Sequence, residues 1–537
     1  MVLLALGRGE EEPSAERTAD LEFTTGGSTT ISPVGPRKQL LRRLLPRKDA
    51  GDCRPLSSTQ PAPIEASTPQ SGRVMASSTG GDAPALRVFS LLLLAALTAA
   101  VVQQGAYYRA GQALVAVLIG LSLLLALVHQ PWARTDLWHP ALWPFILLAA
   151  WSVLRSTAAG DTSSAAGIVT LLLGLVAVVV VCRRTSDRQM LAASVVALGV
   201  LVALSGWIGV LWRITSLAQE DQGLWRVATT LTYSNAAAGF LAPVALLALG
   251  RAAARPDAVS SMVCCVLLAG VATTLSRAGA LALVFGLATL VLLLRPARAA
   301  SVLVGPVAGA AIAVVGLLPS VPADARPRPM LAVGALVVGL AVAAGLAGAT
   351  DRARIVVLAF VVGLGAMAVA HEGGDALDAV RAKRLVVSSS DRARELDAAL
   401  DVARAHPLTG VGPGRAVLEW TGPSGPLRAR YVHNEYVQVL VELGGVGIAL
   451  LLAALVAVAQ LVARSAAAVR ERALWAGAAA GLVALAVGSA FDFLWHVPAV
   501  PLVGALLVGL MAPGLDRSHP SVTAERGDAR EKERACN

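Results

Sequence analysis

The stretch HNEYVQVLVELGGVGIALLLAALVAVAQLVAR, residues 433–464, decides the kind of fold that this chain adopts. After a short polar opening it stays apolar for longer than the roughly 20 residues that an α-helix needs to cross a bilayer. It follows about sixty residues, 371–432, that are rich in Arg, Pro and Gly and do not span. Such a polar excursion, ending in a histidine at the mouth of a spanning helix, indicates that a polar group is handled there.

The composition of the whole chain predicts the fold class. Of 537 residues, 56% are hydrophobic and only 15% are charged, and the mean hydropathy is +0.66, which excludes an ordinary soluble globular protein. Aromatic residues make up only 4%, so Leu, Ala, Val and Gly supply the apolar surface, as in closely packed membrane helices rather than a β-barrel. We predict an all-α polytopic membrane protein with about 12–14 transmembrane helices.

Fourteen apolar segments have about the length of a span. They lie near residues 85–103, 110–129, 138–155, 164–182, 189–212, 231–250, 258–275, 279–294, 299–318, 330–350, 354–370, 434–463, 474–493 and 497–514. Lys and Arg in short loops mark the cytoplasmic side. Here basic residues occupy every second loop: Arg183, Arg184, Arg188, Arg251, Arg255, Arg295, Arg298, Arg352, Arg354, Arg464, Arg470 and Arg472. Both termini are therefore predicted to be cytoplasmic, and residues 371–432 to face outward.

These positions divide the chain into five regions. We predict a disordered cytoplasmic tail, about eleven transmembrane helices, a large extracytoplasmic loop carrying short helices, about three more transmembrane helices and a second cytoplasmic tail: residues 1–84, 85–370, 371–432, 433–514 and 515–537. The first tail is rich in Ser, Thr, Pro, Gly and charge and cannot bury enough apolar surface to fold. Met75 offers an alternative start.

Charge and cysteine usage exclude further classes. The net charge of +10 comes from basic residues that punctuate the spans, so it predicts a lipid bilayer as the environment and no nucleic-acid partner. The five cysteines have no paired spacing in an outer loop, which predicts no disulfide framework and no metal site: Cys53, Cys182, Cys264, Cys265 and Cys536. Glycine-rich phosphate loops and Asp-x-Asp pairs are absent from the sequence, which argues against a nucleotide donor.

A short helix is predicted inside the outer loop. Ser388–Asp391 supplies helix caps, residues 392–405 are good helix formers, and Pro407 should end the helix. Helical spacing places four residues on one face, predicted to pack on the membrane domain: Arg392, Leu396, Leu400 and Ala403. A partly desolvated Arg392 suits an anion such as phosphate; an interfacial arginine that reaches water is the alternative.

The next element is HPLTGVGPG, residues 406–414. Its density of Gly and Pro predicts an irregular turn whose backbone amides are free to hold a ligand. His406, Gly412 and Gly414 are therefore candidate substrate-binding residues, and a plain connector is the alternative.

His433 is the candidate general base. The positive end of the helix dipole disfavours imidazolium, so the ring should be neutral near pH 7, as a base requires. Gly444 and Gly447 would let another helix approach closely and so fix the direction in which this helix points His433. The alternative is an ordinary amphipathic residue at the bilayer interface.

Two more arginines are predicted on the outer side. Arg226 lies in an outer loop, and Arg277 lies in a turn between two spans. An arginine costs roughly 2.5–3.5 kcal/mol at mid-membrane by insertion scales, and less at the interface, so Arg277 needs a reason to be there. With Arg392 and His433, the simplest ligand is a diphosphate beside a group that is deprotonated.

A last outer element, FDFLWHVP, occupies residues 491–498. Trp495 should anchor at the lipid headgroups. Asp492 or His496 could orient His433, but a structural role is the favoured interpretation.

These motifs resemble, in order and spacing, the signature region of the O-antigen ligase and O-antigen polymerase superfamily. The main resemblance covers residues 391–447 and is carried by three elements: Arg392-x3-Leu396, the run 406–414, and His433-Asn434 followed after nine residues by Gly444-x2-Gly447. Two elements outside it are also similar to family motifs: Ser276-Arg277-Ala278-Gly279, and Tyr233-Ser234-Asn235 after Arg226.

The resemblance implies a GT-C-like membrane glycosyltransferase of the plasma (inner) membrane. Such enzymes move a glycan from a polyprenyl-diphosphate carrier to an acceptor hydroxyl on the outer face, without a nucleotide sugar, cofactor or metal. It implies His433 as the base, with Arg277 and Arg392 holding the diphosphate and stabilising its departure. Together with the residues of the glycine-rich run, Arg226 and Asn434 are candidates for substrate binding. About twelve spans are usual in this superfamily, fewer than the fourteen segments here.

The acceptor and the competing classes stay open. The acceptor is the lipid A core in ligases, another lipid-linked repeat in polymerases, and a protein serine or threonine in O-oligosaccharyltransferases. A transporter of lipid-linked sugars predicts inverted repeats and ionisable groups at bilayer depth, whereas the charges singled out above lie at one face. A membrane scaffold would leave Arg277 unexplained.

Overall fold

The computed structural model describes residues 83–129, 139–160, 162–184, 188–350, 390–422, 425–466 and 471–511, with a few positions between 352 and 380. All of them belong to the compact unit Gly80–Asn537. The predicted tails, apart from the start of the first helix, lie outside the described residues. So do most of the predicted span 354–370 and residues 371–389 of the predicted outer loop, apart from position 380.

Helices dominate the described part of the chain. They are α1 (Ala83–Val102), α2 (Arg109–His129), α3 (Trp143–Ala158), α4 (Thr162–Arg184), α5 (Arg188–Trp212), α6 (Ser234–Ala254), α7 (Ala258–Thr273), α8 (Arg277–Leu293), α9 (Pro296–Leu317), α10 (Pro329–Ala347), α11 (Ser390–Ala405), α12 (Glu435–Ser465), α13 (Arg472–Ser489) and α14 (Ala499–Met511). Two antiparallel hairpins accompany them: β1 (Ala218–Asp221) with β2 (Leu224–Val227), and β3 (Leu418–Gly422) with β4 (Gly425–Ala429).

The predicted spans agree with these helices. Nine helices in the described residues are long and apolar enough to cross a bilayer. Four shorter apolar helices occur with them: Val88–Val102, Ala258–Thr273, Arg277–Leu293 and Ala499–Met511. Each coincides with a predicted span, so the all-α polytopic fold is confirmed. The hairpins were not predicted, and one of them lies in the loop that is predicted to carry short helices.

Helix α6 lies at the centre of the bundle, with nearly all of its side chains buried. Helices in lipid associate through close packing, which small residues permit. Gly250 on α6 meets Gly477 on α13 so closely that a Cβ atom at position 250 would lie 2.6 Å from the carbonyl oxygen of Ala473 and 2.7 Å from the Cα of Gly477. The crossing of α6 and α13 therefore depends on glycine.

Turns from distant parts of the chain converge at one end of the bundle, which we call the loop face because it carries α11, β3–β4 and the start of α12. Arg226 on β2 donates a hydrogen bond to the carbonyl oxygen of Thr274 at 2.9 Å, between α7 and α8. The Tyr233 hydroxyl donates to Asp492, between α13 and α14, at 3.0 Å. Residues that are 48 and 259 positions apart in the sequence are thus brought together.

Helix α12 is interrupted at Gly444, whose φ of +67° and ψ of −166° are not helical. A broken helix frees backbone groups that cannot be left unpaired in a membrane. The loop 406–414 pairs with them through four hydrogen bonds: Val411 N to Val441 O and Gly412 N to Glu442 O, both at 2.9 Å, Gly445 N to Pro407 O at 2.8 Å, and Val446 N to Leu408 O at 3.3 Å. The indole of Trp151 donates to the carbonyl oxygen of Leu443 at 2.9 Å.

Two sequence expectations about this region are wrong. The partner that approaches Gly444 is the loop 406–414 rather than another helix, and a Cβ atom on Gly447 would meet Leu443 of the same helix. The amides of the loop are not free either, because those of Val411 and Gly412 fill the break. The density of glycine and proline predicts a turn with free amides for a ligand. In the structure this turn instead forms hydrogen bonds with the backbone of α12.

The α6–α13 crossing gives a stability prediction. Gly250→Ala should lower the free energy of unfolding by about 1–3 kcal/mol, because the added methyl group overlaps backbone that cannot move aside. The measurement is thermal unfolding of the purified chain in detergent. Gly334→Ala on α10 is the control, since its Cβ would meet nothing within 4 Å; an equal effect of the two substitutions would contradict the close crossing.

Candidate active site

The imidazole of His433 is held by a buried carboxylate from α11. Its Nδ1 lies 2.8 Å from Oε2 and 3.0 Å from Oε1 of Glu395, and its backbone N–H donates to Oε1 at 2.8 Å. Glu395 is 4% exposed, whereas a third of the His433 side chain remains exposed, at 32%. Because a carboxylate only accepts, Nδ1 carries the proton and Nε2 is the nitrogen that can receive one from a substrate.

Helix α11 buries a face that coincides with the predicted one only at Ala403, while the predicted Arg392 and Leu400 are half-buried. Its buried residues are Glu395, Ala399 and Ala403, at a spacing of four, whereas Leu396 is 37% exposed. The predicted helix and its end before Pro407 are confirmed. Leu396 and Leu400 therefore do not mark the buried face of α11. That face packs closely on β3 and the start of α12, where alanine fits better than leucine.

Asp492 is the second buried carboxylate of the loop face and is fully buried. It accepts hydrogen bonds from the hydroxyl of Tyr233 and the side-chain amide of Asn235, and its Oδ2 lies 3.9 Å from Nη2 of Arg392. The side-chain oxygen of Asn235 in turn accepts from Nη2 of Arg226 at 3.0 Å. One carboxylate and one amide therefore connect two of the predicted arginines.

Arg226 is held more tightly than Arg392. Its guanidinium, 4% exposed with the rest of the residue, contacts Asp221 at 2.7 Å as well as the carbonyl oxygen of Thr274. These contacts join the β1–β2 hairpin to the turn before α8. Arg277 is the first residue of α8, three positions after Thr274, and is half-buried, so it lies at the same loop face.

Aromatic rings surround the imidazole. The ring of Phe493 stacks on Tyr233 with 5.3 Å between centroids and meets His433 edge-on, also at 5.3 Å. Phe493 also lies 5.7 Å from Tyr431 and 6.3 Å from His496, between ring centroids. We call Tyr431, Phe493 and His496 the aromatic wall, because their three rings contact one another.

A second carboxylate and imidazole pair lies at the aromatic wall. Glu435, only 1% exposed, accepts a hydrogen bond from the backbone N–H of Trp495, and its Oε1 lies 3.4 Å from Nδ1 of His496. Burial alone would lower the pKa of His496, but the carboxylates of Glu435 and Glu442 raise it above the ordinary value. Burial also raises the pKa of Tyr431 to about 12, so its hydroxyl stays a donor.

A groove of about 990 Å³ runs along α12 and is lined by Tyr431 and His496 of the wall. Tyr431, Glu435 and His496 stand at its end near the loop face, and apolar side chains of α3, α4, α12, α13 and α14 line its length as far as Trp475. Arg109 and Arg430 also line it, whereas His433 and the arginines Arg226, Arg277 and Arg392 are not among the described residues that do.

The remaining predicted residues are spread more widely. Asn434 caps α12, since its side-chain oxygen accepts from the amides of the two residues at positions 436 and 437 at 3.0 and 3.1 Å. Gly414 lines the groove, and its amide donates to the Glu442 carboxylate. His406 is exposed and lies eleven residues from Glu395, about 16 Å along a helix axis.

Sequence reasoning missed the two glutamates that contact the histidines. It considered Asp492 or His496 as the group that orients His433, whereas Glu395 does so. A signal existed, because Glu395, Ala399 and Ala403 repeat every four residues and an acidic residue on such a buried face needs a partner. Glu435 likewise begins a spanning helix two residues after His433.

Comparison with protein families identifies one region of the chain. Residues 328–452 match the family model described as O-antigen ligase. The chain carries an O-antigen ligase domain. That domain includes both partners of the His433–Glu395 contact, and the sequence resemblance to the superfamily is thereby confirmed. Arg226, Arg277 and Asp492 lie outside the matched residues. No curated protein matches the chain significantly.

The family sets a coarse function for the chain. An O-antigen ligase domain on a bundle of apolar helices indicates a multi-pass membrane enzyme of the O-antigen ligase and polymerase kind, with a lipid-linked glycan as substrate. The matched residues supply the imidazole, its carboxylate and Arg392, while Tyr233, Asn235 and Asp492 lie outside them.

The raised pKa of His496 gives a stability prediction. The folded pKa exceeds the unfolded value of about 6.5, so the contribution of His496 is fully present below that pH and is lost as the pH rises through the folded pKa. His496→Gln should therefore lower the melting temperature most in mildly acidic buffer and least in alkaline buffer. His406→Gln, at an exposed site, is the control; a difference that stays constant or grows with pH would contradict the assignment.

Proposed function

We propose that this protein transfers a glycan from an undecaprenyl-diphosphate carrier to an acceptor hydroxyl on the outer face of the plasma membrane. The observation that carries the proposal is the contact of His433 with Glu395 inside the O-antigen ligase domain. The loop face is then extracytoplasmic and both termini are cytoplasmic, in a GT-C-like arrangement. A polysaccharide polymerase and a protein O-oligosaccharyltransferase would use the same chemistry with another acceptor.

His433 acts as the general base in this mechanism. Its Nε2 takes the proton of the acceptor hydroxyl while the oxygen forms a bond to the anomeric carbon of the donor glycan. The bond from that carbon to the diphosphate breaks, and the carrier diphosphate leaves with the electron pair. Glu395 keeps Nδ1 protonated and stabilises the imidazolium that forms, as an acidic partner of a catalytic histidine does.

Arg392 and Arg277 bind the diphosphate in this proposal. Arg392 lies three residues before Glu395 on α11, which places it on the same side of the helix as the partner of His433, and a guanidinium can form a bidentate contact with a phosphate. Arg277 opens α8, where the helix dipole also favours an anion. Arg226 is enclosed by protein partners, and we assign it an indirect part, holding Asn235 and through it Asp492. Asn434 and the glycine-rich run keep the base in place by shaping the start of α12.

His433→Ala should reduce glycan transfer by about 10²–10⁴-fold, because no other group would take the acceptor proton. Glu395→Gln should cost less, since the amide oxygen can still accept from the backbone N–H of His433 but no longer stabilises the imidazolium. Transfer is measured with the reconstituted chain and as surface glycan in a strain that lacks the wild-type copy.

Two outcomes decide this assignment. Normal transfer by a folded His433→Ala variant would refute the base. A strain without the chain should accumulate lipid-linked glycan on the outer leaflet, whereas accumulation on the inner leaflet would indicate transport instead.

Arg392→Ala should raise the KM for the lipid-diphosphate donor by about 10-fold or more, and Arg392→Lys should recover only part of it, because an ammonium cannot reproduce the two-pronged contact. Arg404→Ala on the same helix is the control, since Arg404 pairs with Asp401 at an exposed position. A donor KM that none of these substitutions changes would show that Arg392 does not bind the diphosphate.

A further inference from the structure

The backbone that leads into α12 depends on side chains for its hydrogen bonds. Residues 430–434 join β4 to α12 and belong to no helix or strand. Two consecutive amides of this segment donate to side chains: that of Val432 to Oε1 of Gln438 at 2.7 Å, and that of His433 to Glu395. Val432 and Gln438 are each only 2% exposed, so water cannot replace the glutamine oxygen as the acceptor.

The side chain of Gln438 uses its oxygen and both of its N–H groups. While Oε1 accepts from Val432, Nε2 donates to the carbonyl oxygen of Arg430 at 3.3 Å and to Oε1 of Glu442 at 2.8 Å. An amide combines one acceptor and two donors in a single group, which is what these three partners require. Gln438 also lies along the wall of the groove, but both of its N–H groups are engaged with protein, so it has none to donate to a substrate.

Gln438 connects the entry to α12 with the break in the same helix. The carboxylate of Glu442, 4% exposed, accepts from the amide of Gly414, and the carbonyl oxygen of Glu442 accepts from the amide of Gly412 at 2.9 Å. Both glycines belong to the loop 406–414 that fills the break. A continuous series of hydrogen bonds therefore runs from that loop through Glu442 and Gln438 to the peptide that precedes the imidazole.

We propose that Gln438 is a positioning residue for His433: it fixes the peptide at Val432 and thereby the direction in which the next residue presents its imidazole. Glu395 holds the ring at Nδ1, and Gln438 holds the backbone from which the ring projects, so that Nε2 stays where the acceptor hydroxyl is deprotonated. This inference rests on the proposed transfer and adds to it a residue that does not contact the substrate. The arginines assigned to the diphosphate lie on α8 and α11, so loss of Gln438 should affect kcat rather than the KM for the donor.

Hydrogen–deuterium exchange of the full chain in nanodiscs tests the contact without requiring transfer. Methionine has an unbranched side chain of similar length but no amide, so Gln438→Met should speed exchange in peptides that cover residues 430–434 by about 10-fold. Gln189→Met is the matched control, because Gln189 also donates to a glutamate, Glu471, at 2.6 Å, but does so at the other end of the bundle. The control should leave exchange at residues 430–434 unchanged.

Transfer is measured with lipid-linked glycan extracted from a strain that lacks the chain, and with membranes of that strain as the acceptor. Gln438→Met should lower kcat by about 10- to 100-fold, because a small displacement of a catalytic group costs this much, and should leave the donor KM within about twofold. Gln189→Met should change neither constant. Thermal unfolding measures the stability of both variants, so that a loss of folded protein is not counted as a loss of kcat.

An exchange of charge between positions 438 and 442 provides a rescue. Gln438→Glu keeps an acceptor for the amide of Val432 but places a second carboxylate against Glu442, and two buried carboxylates oppose each other, so kcat should fall. Adding Glu442→Gln leaves one carboxylate and one amide, and the amide at position 442 can donate to the carboxylate at position 438. The double variant should therefore recover much of the lost kcat.

Three results would overturn the inference. They are unchanged exchange at residues 430–434 in Gln438→Met, faster exchange there with a normal kcat, and a double variant that is no more active than Gln438→Glu. The exchange result does not depend on which reaction the chain catalyses. Normal transfer by His433→Ala would instead refute the proposed function and leave the contact of Gln438 with Val432 standing.

Discussion

A helix that breaks inside a membrane must have its freed backbone groups paired by protein, and this constraint organises the loop face. The break at Gly444 in α12 is filled by the loop 406–414, and the indole of Trp151 pairs one further carbonyl. From the far side, Arg155 at the end of α3 donates to the carbonyl oxygens of Thr409 and Gly410 at 2.8 and 3.1 Å. The upper segment of α12, and with it His433, is thereby held by the backbone rather than by apolar packing alone.

The loop face joins two halves of the chain through carboxylates. Glu395 connects α11 with His433, Asp492 connects the last turn with Tyr233 and Asn235, and Glu435 connects the start of α12 with that same last turn. A buried carboxylate is costly unless its hydrogen bonds are complete, so each of these groups specifies one arrangement of its neighbours. These buried polar groups, in an otherwise apolar bundle, therefore fix the arrangement of the side chains in the site.

Much of the architecture could be predicted because lipid leaves few options for a backbone. Long apolar segments become helices, and all the predicted spans that fall within described residues did so. The end of α11 before Pro407 was predictable for a local reason, the conformational restriction that proline imposes on the residue before it. Counting the predicted spans was enough to place His433 at the same end of the bundle as Arg226, Arg277 and Arg392.

The partners within the site could not be predicted in the same way. Which face of α11 is buried depends on a close contact with β3, and the pairing of Glu395 with His433 joins residues that no periodicity connects. The glycine-rich run was interpreted as a ligand cradle because its role, to dock on a helix break, exists only once both segments are folded. Local propensity predicts the conformation of a segment but not the residues that the segment contacts in the folded chain.

The break in α12 also separates two tasks along one helix. In a continuous helix, inserting one residue turns everything beyond it by about 100°, so a change in the lipid-facing part would rotate the catalytic end. Here the loop 406–414 grips both sides of Gly444, so the segment after it can change length or register while His433 and Glu435 keep their orientation. The lower half of α12 therefore contributes little to the orientation of the end that carries His433.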